Sequence, residues 1–73
     1  MQQAKWIDTP ESSNITRFRY DTASQVLFVE FHDGGVYRYF DVPEAVFEQM
    51  RSAPSKGQFL AQNVNGTYRY ARV

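Results

Sequence analysis

Polar and apolar residues alternate from Ile15 to Tyr20, and after a turn at Asp21 to Ser24 a Val- and Phe-rich run follows from Gln25 to Phe31. Alternation with a period of two predicts strands, and the short polar break between the two runs predicts a hairpin. Asp33-Gly34-Gly35 interrupts the pattern and Val36 to Phe40 resumes it, which predicts a third antiparallel strand. Before these, Met1 to Asn14 mixes polar groups with an isolated Trp6-Ile7 pair, then Thr9-Pro10 and Ser12-Ser13-Asn14, so residues 1–11 are expected to be a flexible lead-in.

Slipping a strand by one residue sends every side chain to the other face, so register can be argued from chemistry. A two-residue loop at Asp33-Gly34 sets Arg38 opposite Val29, on the face of Leu27 and Phe31. A three-residue loop with Gly35 left-handed instead pairs Phe31 with Tyr37, Val29 with Tyr39, Glu30 with Arg38 and Phe28 with Phe40, and this register is predicted. A four-residue turn over Asp21 to Ser24 sets Phe18 opposite Leu27 and Arg17 opposite Phe28. One face then holds Phe18, Tyr20, Leu27, Val29, Phe31, Tyr37 and Tyr39. The other holds Arg17, Arg19, Val26, Phe28, Glu30, Arg38 and Phe40.

Asp41-Val42-Pro43-Glu44 reads as a helix start, with Asp41 as N-cap, Glu44 reaching back and Pro43 in the first turn, where its missing N–H costs nothing. The helix is expected to run to about Ala53, with Val42, Ala45, Val46, Met50 and Ala53 on one stripe and Phe47 at its edge. Pro54 ends it. Ser55 and Gln58 form a second capping box, opening a short helix that buries Phe59, Leu60 and Val64 and closes at Asn65-Gly66. Thr67 to Val73 is a last strand, repeating the Tyr-Arg-Tyr of Tyr37 to Tyr39 at Tyr68 to Tyr70. The expected fold is α+β: an antiparallel sheet of three to four strands with two short helices on one face, in the order β-β-β-α-α-β.

Composition narrows what such a domain can do. Its 73 residues make one domain with a small core, and with no cysteine neither disulfides nor thiolate metal sites support it. Six Phe and five Tyr supply the burial instead. The opening Met1-Gln2-Gln3-Ala4-Lys5 leads into no apolar run, and no stretch approaches the roughly 20 apolar residues of a membrane span, so a cytoplasmic protein with no membrane partner is expected. Eight basic residues balance eight acidic ones, which weighs against strong nucleic-acid binding unless the charges segregate.

These residues resemble the KTSC domain, a short module found at the C-terminus of some lysyl-tRNA synthetases and as a free-standing bacterial protein. The resemblance covers about Ser12 to Val73. It rests on Ser12-Ser13-x-Ile15, Tyr20-Asp21, Leu27-x-Val29-Glu30-Phe31, Gly35-Val36-Tyr37-x-Tyr39 and Val42-Pro43. It continues through Ala53-Pro54-Ser55-x-Gly57, Phe59 and Gly66-x-Tyr68-x-Tyr70. The synthetase setting suggests RNA, single-stranded or tRNA, as partner. Where the family often has Phe-Asn and then Ile with a basic residue, this chain has Leu60-Ala61 and Val64-Asn65, without a positive charge near the final strand.

Each candidate site has a structural explanation beside the functional one. Tyr37, Tyr39, Tyr68 and Tyr70 could stack on bases, but the predicted register commits them to the helix-covered side, and burial is the favoured reading. On the opposite face Phe28 and Phe40 lie among Arg17, Arg19 and Arg38, with Arg69 joining if the last strand keeps its tyrosines inward. Aromatics flanked by guanidinium groups are what an open sheet uses to hold single-stranded RNA; a second small core under Trp6-Ile7 is the alternative, and both remain open. Ser55, Lys56 and Gly57 at a helix start could contact a phosphate, but a cap and a glycine for the tight inter-helix turn are the favoured explanation. His32 is expected exposed beside a turn, no catalytic set or metal site assembles, and no cofactor is implied. The chain therefore reads as a non-enzymatic binding module, weakly binding RNA through the Arg/Phe face or taking a protein partner on that face or a strand edge.

Overall fold

In the computed structural model, which describes residues 5–73, five antiparallel strands form one sheet whose spatial order follows the chain. They are β1 (Ile7–Asp8), β2 (Ile15–Asp21), β3 (Val26–Phe31), β4 (Val36–Tyr39) and β5 (Tyr70–Arg72). Between β4 and β5 the chain makes α1 (Glu44–Ser52) and α2 (Lys56–Phe59), the latter running on into a π-helical turn, Leu60–Val64. The α+β class and the helix positions agree with expectation, and the sheet has one strand more. That strand lies in the supposed lead-in: Ile7 pairs with Phe18 and Asp8 with Arg17. Thr9 secures it, its N–H donating to the Thr16 carbonyl at 3.1 Å and its buried hydroxyl to the Ile15 carbonyl at 2.6 Å. Residues 1–4 of the expected lead-in lie outside the described residues.

Both hairpins keep the predicted faces but shift their partners by two residues. Between β2 and β3, Arg17 faces Glu30, Phe18 faces Val29 and Tyr20 faces Leu27. The loop is residues 22–25, one position later than expected, because Gln25 takes the left-handed conformation (φ 58°) and donates its N–H to the Asp21 carbonyl at 2.8 Å. Between β3 and β4, Phe28 faces Arg38, Val29 faces Tyr37 and Leu27 faces Tyr39. The predicted pairs of Phe28 with Phe40 and Glu30 with Arg38 do not form. The loop does contain three residues, but they are 32–34, and Gly34 rather than Gly35 is left-handed (φ 92°). The carboxylate of Asp33 settles this by accepting the Gly35 N–H at 2.8 Å, while Phe31 N–H reaches the Gly35 carbonyl at 2.9 Å. A bulge between Ile15 and Arg17 turns Ile15 onto the same side as Phe18, where it is fully buried.

The helix entrance also departs from expectation. Asp41 is not the N-cap: it is exposed in the left-handed region (φ 58°), and Pro43 holds the cap position with no side-chain hydrogen bond. The bend at Asp41 drives Val42 into the core, where its N–H donates to the Gln25 carbonyl at 2.9 Å and its carbonyl accepts the Tyr20 hydroxyl. Ala45 faces solvent, and Phe47 replaces it on the buried stripe, stacked on Tyr20 at 4.9 Å and edge-on to Phe18 at 5.9 Å. With Met50, Leu60 and Val64, these groups close the core over Phe18, Leu27 and Val29. The Ser55 hydroxyl accepts the Gln58 N–H at 3.2 Å as predicted. Among the described residues no helix is long and apolar enough to cross a membrane.

Candidate functional site

The sheet face away from the helices carries Arg17, Arg19 and Arg38, and Arg69 reaches it from just before β5. Trp6 lies over it at the β1 side, with the Arg17 guanidinium 4.4 Å and that of Arg19 5.2 Å from its ring centre. Arg19 also covers Phe28 at 3.9 Å. Phe28 stands directly between Arg19 on β2 and Arg38 on β4, because those are its partners in the two ladders. Arg38 then approaches Phe40 at 5.8 Å from one side, and Arg69 approaches it at 5.4 Å from the other. Cations and rings thus alternate across the sheet, and the Arg19–Phe28, Arg38–Phe40 and Arg69–Phe40 contacts are each of the kind worth about 0.5–1 kcal/mol at an exposed site.

The predicted residues therefore meet, though not as equals. Arg17 donates to the Glu30 carboxylate, an ion pair that cancels its charge locally. Arg69 comes within 4.0 Å of Asp41, with both side chains about four-fifths exposed, where such a pair contributes little. Arg19 and Arg38 contact no carboxylate among the described residues. Trp6 covers only the Arg17 and Arg19 end of the face, and Ile7 turns the other way to pack on the main core. Phe28 and Phe40 are half-buried.

The groups at the start of α2 are all engaged internally. Lys56 donates its amino group to the Ala53 carbonyl at 2.7 Å, and Ser55 caps Gln58. Gly57 lies so close to Asn14 that an added Cβ would stand 2.5 Å from its amide oxygen. His32 is exposed and ties two loops together, contacting the Thr16 hydroxyl at 2.7 Å and the Ser12 carbonyl at 3.1 Å. Among the described residues no group of three or more His, Asp or Glu gathers as a metal site would require.

The helix-side face holds a second feature that pattern reading did not anticipate. The helices stop short of the β4–β5 edge, leaving a cleft of about 720 Å³ floored by Phe31, Tyr37, Tyr39 and Tyr70. Asn14, Asp33 and Asn65 stand in its walls. The four tyrosines weighed from sequence thus divide. Tyr39 is buried, donating to the Asn65 amide oxygen at 2.9 Å, and Tyr68 packs against the core. Tyr37 is half-buried and Tyr70 is 60% exposed. Burial, with the nearby Tyr70 and Tyr37 adding to it, pushes the Tyr39 phenol up to about 12. Phe31, expected at the centre of the covered face, instead forms the end of this cleft, edge-on to Tyr37 at 5.5 Å. Arg72, the next same-face residue after Tyr70, pairs with Tyr37 and lies beside the cleft rather than in its lining.

Comparison with known proteins completes the picture. The model of the KTSC domain matches residues 11–73. The chain is 42% identical over 64 residues to a lysine–tRNA ligase of Trichormus variabilis, covering 88% of this chain but 11% of the ligase, so it corresponds to a small part of that enzyme. It is 38% identical over 64 residues to an uncharacterized protein of Stutzerimonas stutzeri, covering 86% of this chain and 90% of that one. The crystal structure of a KTSC domain protein from Yersinia pestis has the same fold, with a TM-score of 0.90 at 28% identity over 97% of this chain and 99% of that one. The family match takes in every element except β1, and the fold is shared along almost the whole chain: the protein belongs to the KTSC domain family.

Proposed function

We propose that the protein is a small non-enzymatic module that binds single-stranded RNA, as a free strand or a tRNA segment, through the Arg19–Phe28–Arg38–Phe40–Arg69 ladder. The alternation of rings and guanidinium planes on a helix-free face supports this: bases stack on Phe or Arg without sequence preference, while the arginines neutralise phosphates. Relatives named as lysine–tRNA ligases add support, since such an enzyme handles tRNA. The same setting favours a cytoplasmic location.

Arg17, neutralised by Glu30, does not count toward binding. Three arginines remain, so the log-log salt slope is near −2 and affinity is tens of micromolar or poorer. The test is an NMR titration of isotope-labelled protein with a mixed single-stranded RNA pool at low salt. Shifts are expected on Arg19, Phe28, Arg38 and Phe40, and Arg38→Gln with Arg69→Gln should weaken binding and flatten the slope. Unchanged binding in that double variant overturns the reading. A salt-insensitive complex formed on the same face with a protein would establish an interaction module instead.

A further inference from the structure

The helix-side cleft has no part in the outer-face reading, and its chemistry is specific enough to assign. We propose that it is a nucleotide pocket in which one base lies on Tyr70 and Tyr37, its edge meets Asn65, and its phosphate meets Arg72. A pocket of about 720 Å³ lies within the range of small-ligand sites and is too small for a helix some 10 Å across. Its floor offers ring faces. Tyr70 packs against Tyr37 at 5.9 Å and Tyr39 at 5.8 Å, tilted by 52° and 38°, so the three rings form a shallow dish of the kind a planar heterocycle covers.

The polar groups are placed to match. The Tyr39 hydroxyl occupies the amide oxygen of Asn65, which orients that side chain and leaves its NH₂ donors for a base carbonyl or ring nitrogen. Asp33, which lines the cleft, keeps one carboxylate oxygen on the Gly35 N–H, and its second oxygen is the acceptor for an exocyclic amino group. Arg72 lies on the same face, opposite Tyr37, with its guanidinium 5.9 Å from that ring. A proline-rich segment would also find an aromatic floor here, but its uncharged backbone makes no use of Arg72.

Arg69 immediately precedes β5 and reaches Phe40 on the outer face, whereas Tyr70, its neighbour, opens that edge strand on the cleft side. A strand leaving the outer ladder at Arg69 therefore reaches the cleft by turning around that edge. This last step rests on the outer-face reading; occupation of the cleft by a single nucleotide does not.

The experiment titrates the full chain with each of the four nucleoside monophosphates to millimolar concentration, following backbone amide shifts. Shifts are expected at Tyr37, Asn65, Gly66 and Tyr70. Tyr70→Ala should weaken binding by about tenfold, the contribution of one stacked base. Arg72→Gln should weaken the monophosphates while leaving the uncharged nucleosides unaffected. Because Tyr70 is 60% exposed, its alanine variant is expected to fold, which circular dichroism checks. The proposal is overturned if no nucleotide shifts cleft residues, if Tyr70→Ala binds as well as the parent, or if a polyproline peptide binds the cleft and nucleotides do not. RNA-induced shifts on the outer face with no monophosphate shifts in the cleft would remove the cleft and keep the outer ladder; monophosphate shifts in the cleft with none from RNA outside would do the reverse.

Discussion

Replacing Tyr39 by phenylalanine should make the protein less stable at neutral pH, by a margin that shrinks as pH rises towards 11. The ring is retained, so the core is not hollowed. What is lost at neutral pH is the hydroxyl's hydrogen bond to Asn65, 2.9 Å long and partly buried, worth about 1 kcal/mol. Alkali narrows the gap because the buried phenol holds its proton to about 12, against 10 when unfolded. The folded state resists ionisation, so this contribution is complete below pH 10 and is lost as pH rises through 12. By proton linkage the parent forfeits about 1 kcal/mol by pH 11 and more as pH passes 12. Tyr20, whose phenol is also raised, chiefly by burial, titrates in both proteins and cancels from the difference. The assay is urea denaturation followed by circular dichroism at several pH values between 8 and 11. A stability gap that stays constant across that range would refute the reasoning.

Phe18→Ala removes a fully enclosed ring and should cost about 3–5 kcal/mol, unfolding much of so small a domain, whereas half-buried Phe40→Ala should cost distinctly less in the same denaturant titration. Equal losses would mean that the outer face is as enclosed as the core. Gly34→Ala places a side chain at φ 92° and should lower the thermal midpoint by an amount matching about 1–2 kcal/mol, although an added Cβ meets nothing. Arg17→Gln breaks the ion pair with Glu30 at a cost of no more than about 1 kcal/mol and should reduce RNA affinity less than Arg38→Gln does, measured by fluorescence anisotropy.

The two faces of the sheet were readable because alternation records parity, and parity survived in both hairpins from Arg17 onward, broken only by the bulge that turns Ile15 inward. Register was not, because a shift by two residues preserves parity, and the shift was decided by which loop residue turned left-handed. At β2–β3 that residue is Gln25, whose type gives no such signal. At β3–β4 two glycines competed, and the Asp33 carboxylate selected Gly34. Asp41 likewise looked like a cap and became a bend. Which residues share the outer face depends on parity alone and so was legible, whereas the placing of Phe28 between Arg19 and Arg38, like the neutralisation of Arg17 by Glu30, depends on the register and was not. The cleft depends on where the helices stop and where β5 docks, both set by long-range packing, so the exposed Tyr70 was mistaken for a core residue.

Loops at 22–25 and 32–34 close the first two hairpins locally, whereas β5 can pair with β4 only after residues 40–69 have been arranged. Closing that longer excursion carries the larger chain-entropy cost, and the three-residue strand it delivers is held by few pairs. β5 should therefore be the last strand to join the sheet during folding and the first to let go of it. Its amide hydrogens should exchange with deuterium through local opening while those of β3 wait for global unfolding. Because β5 carries Tyr70, each such opening dismantles one side of the cleft, and a bound nucleotide would register as slower exchange in this strand before any change in overall melting.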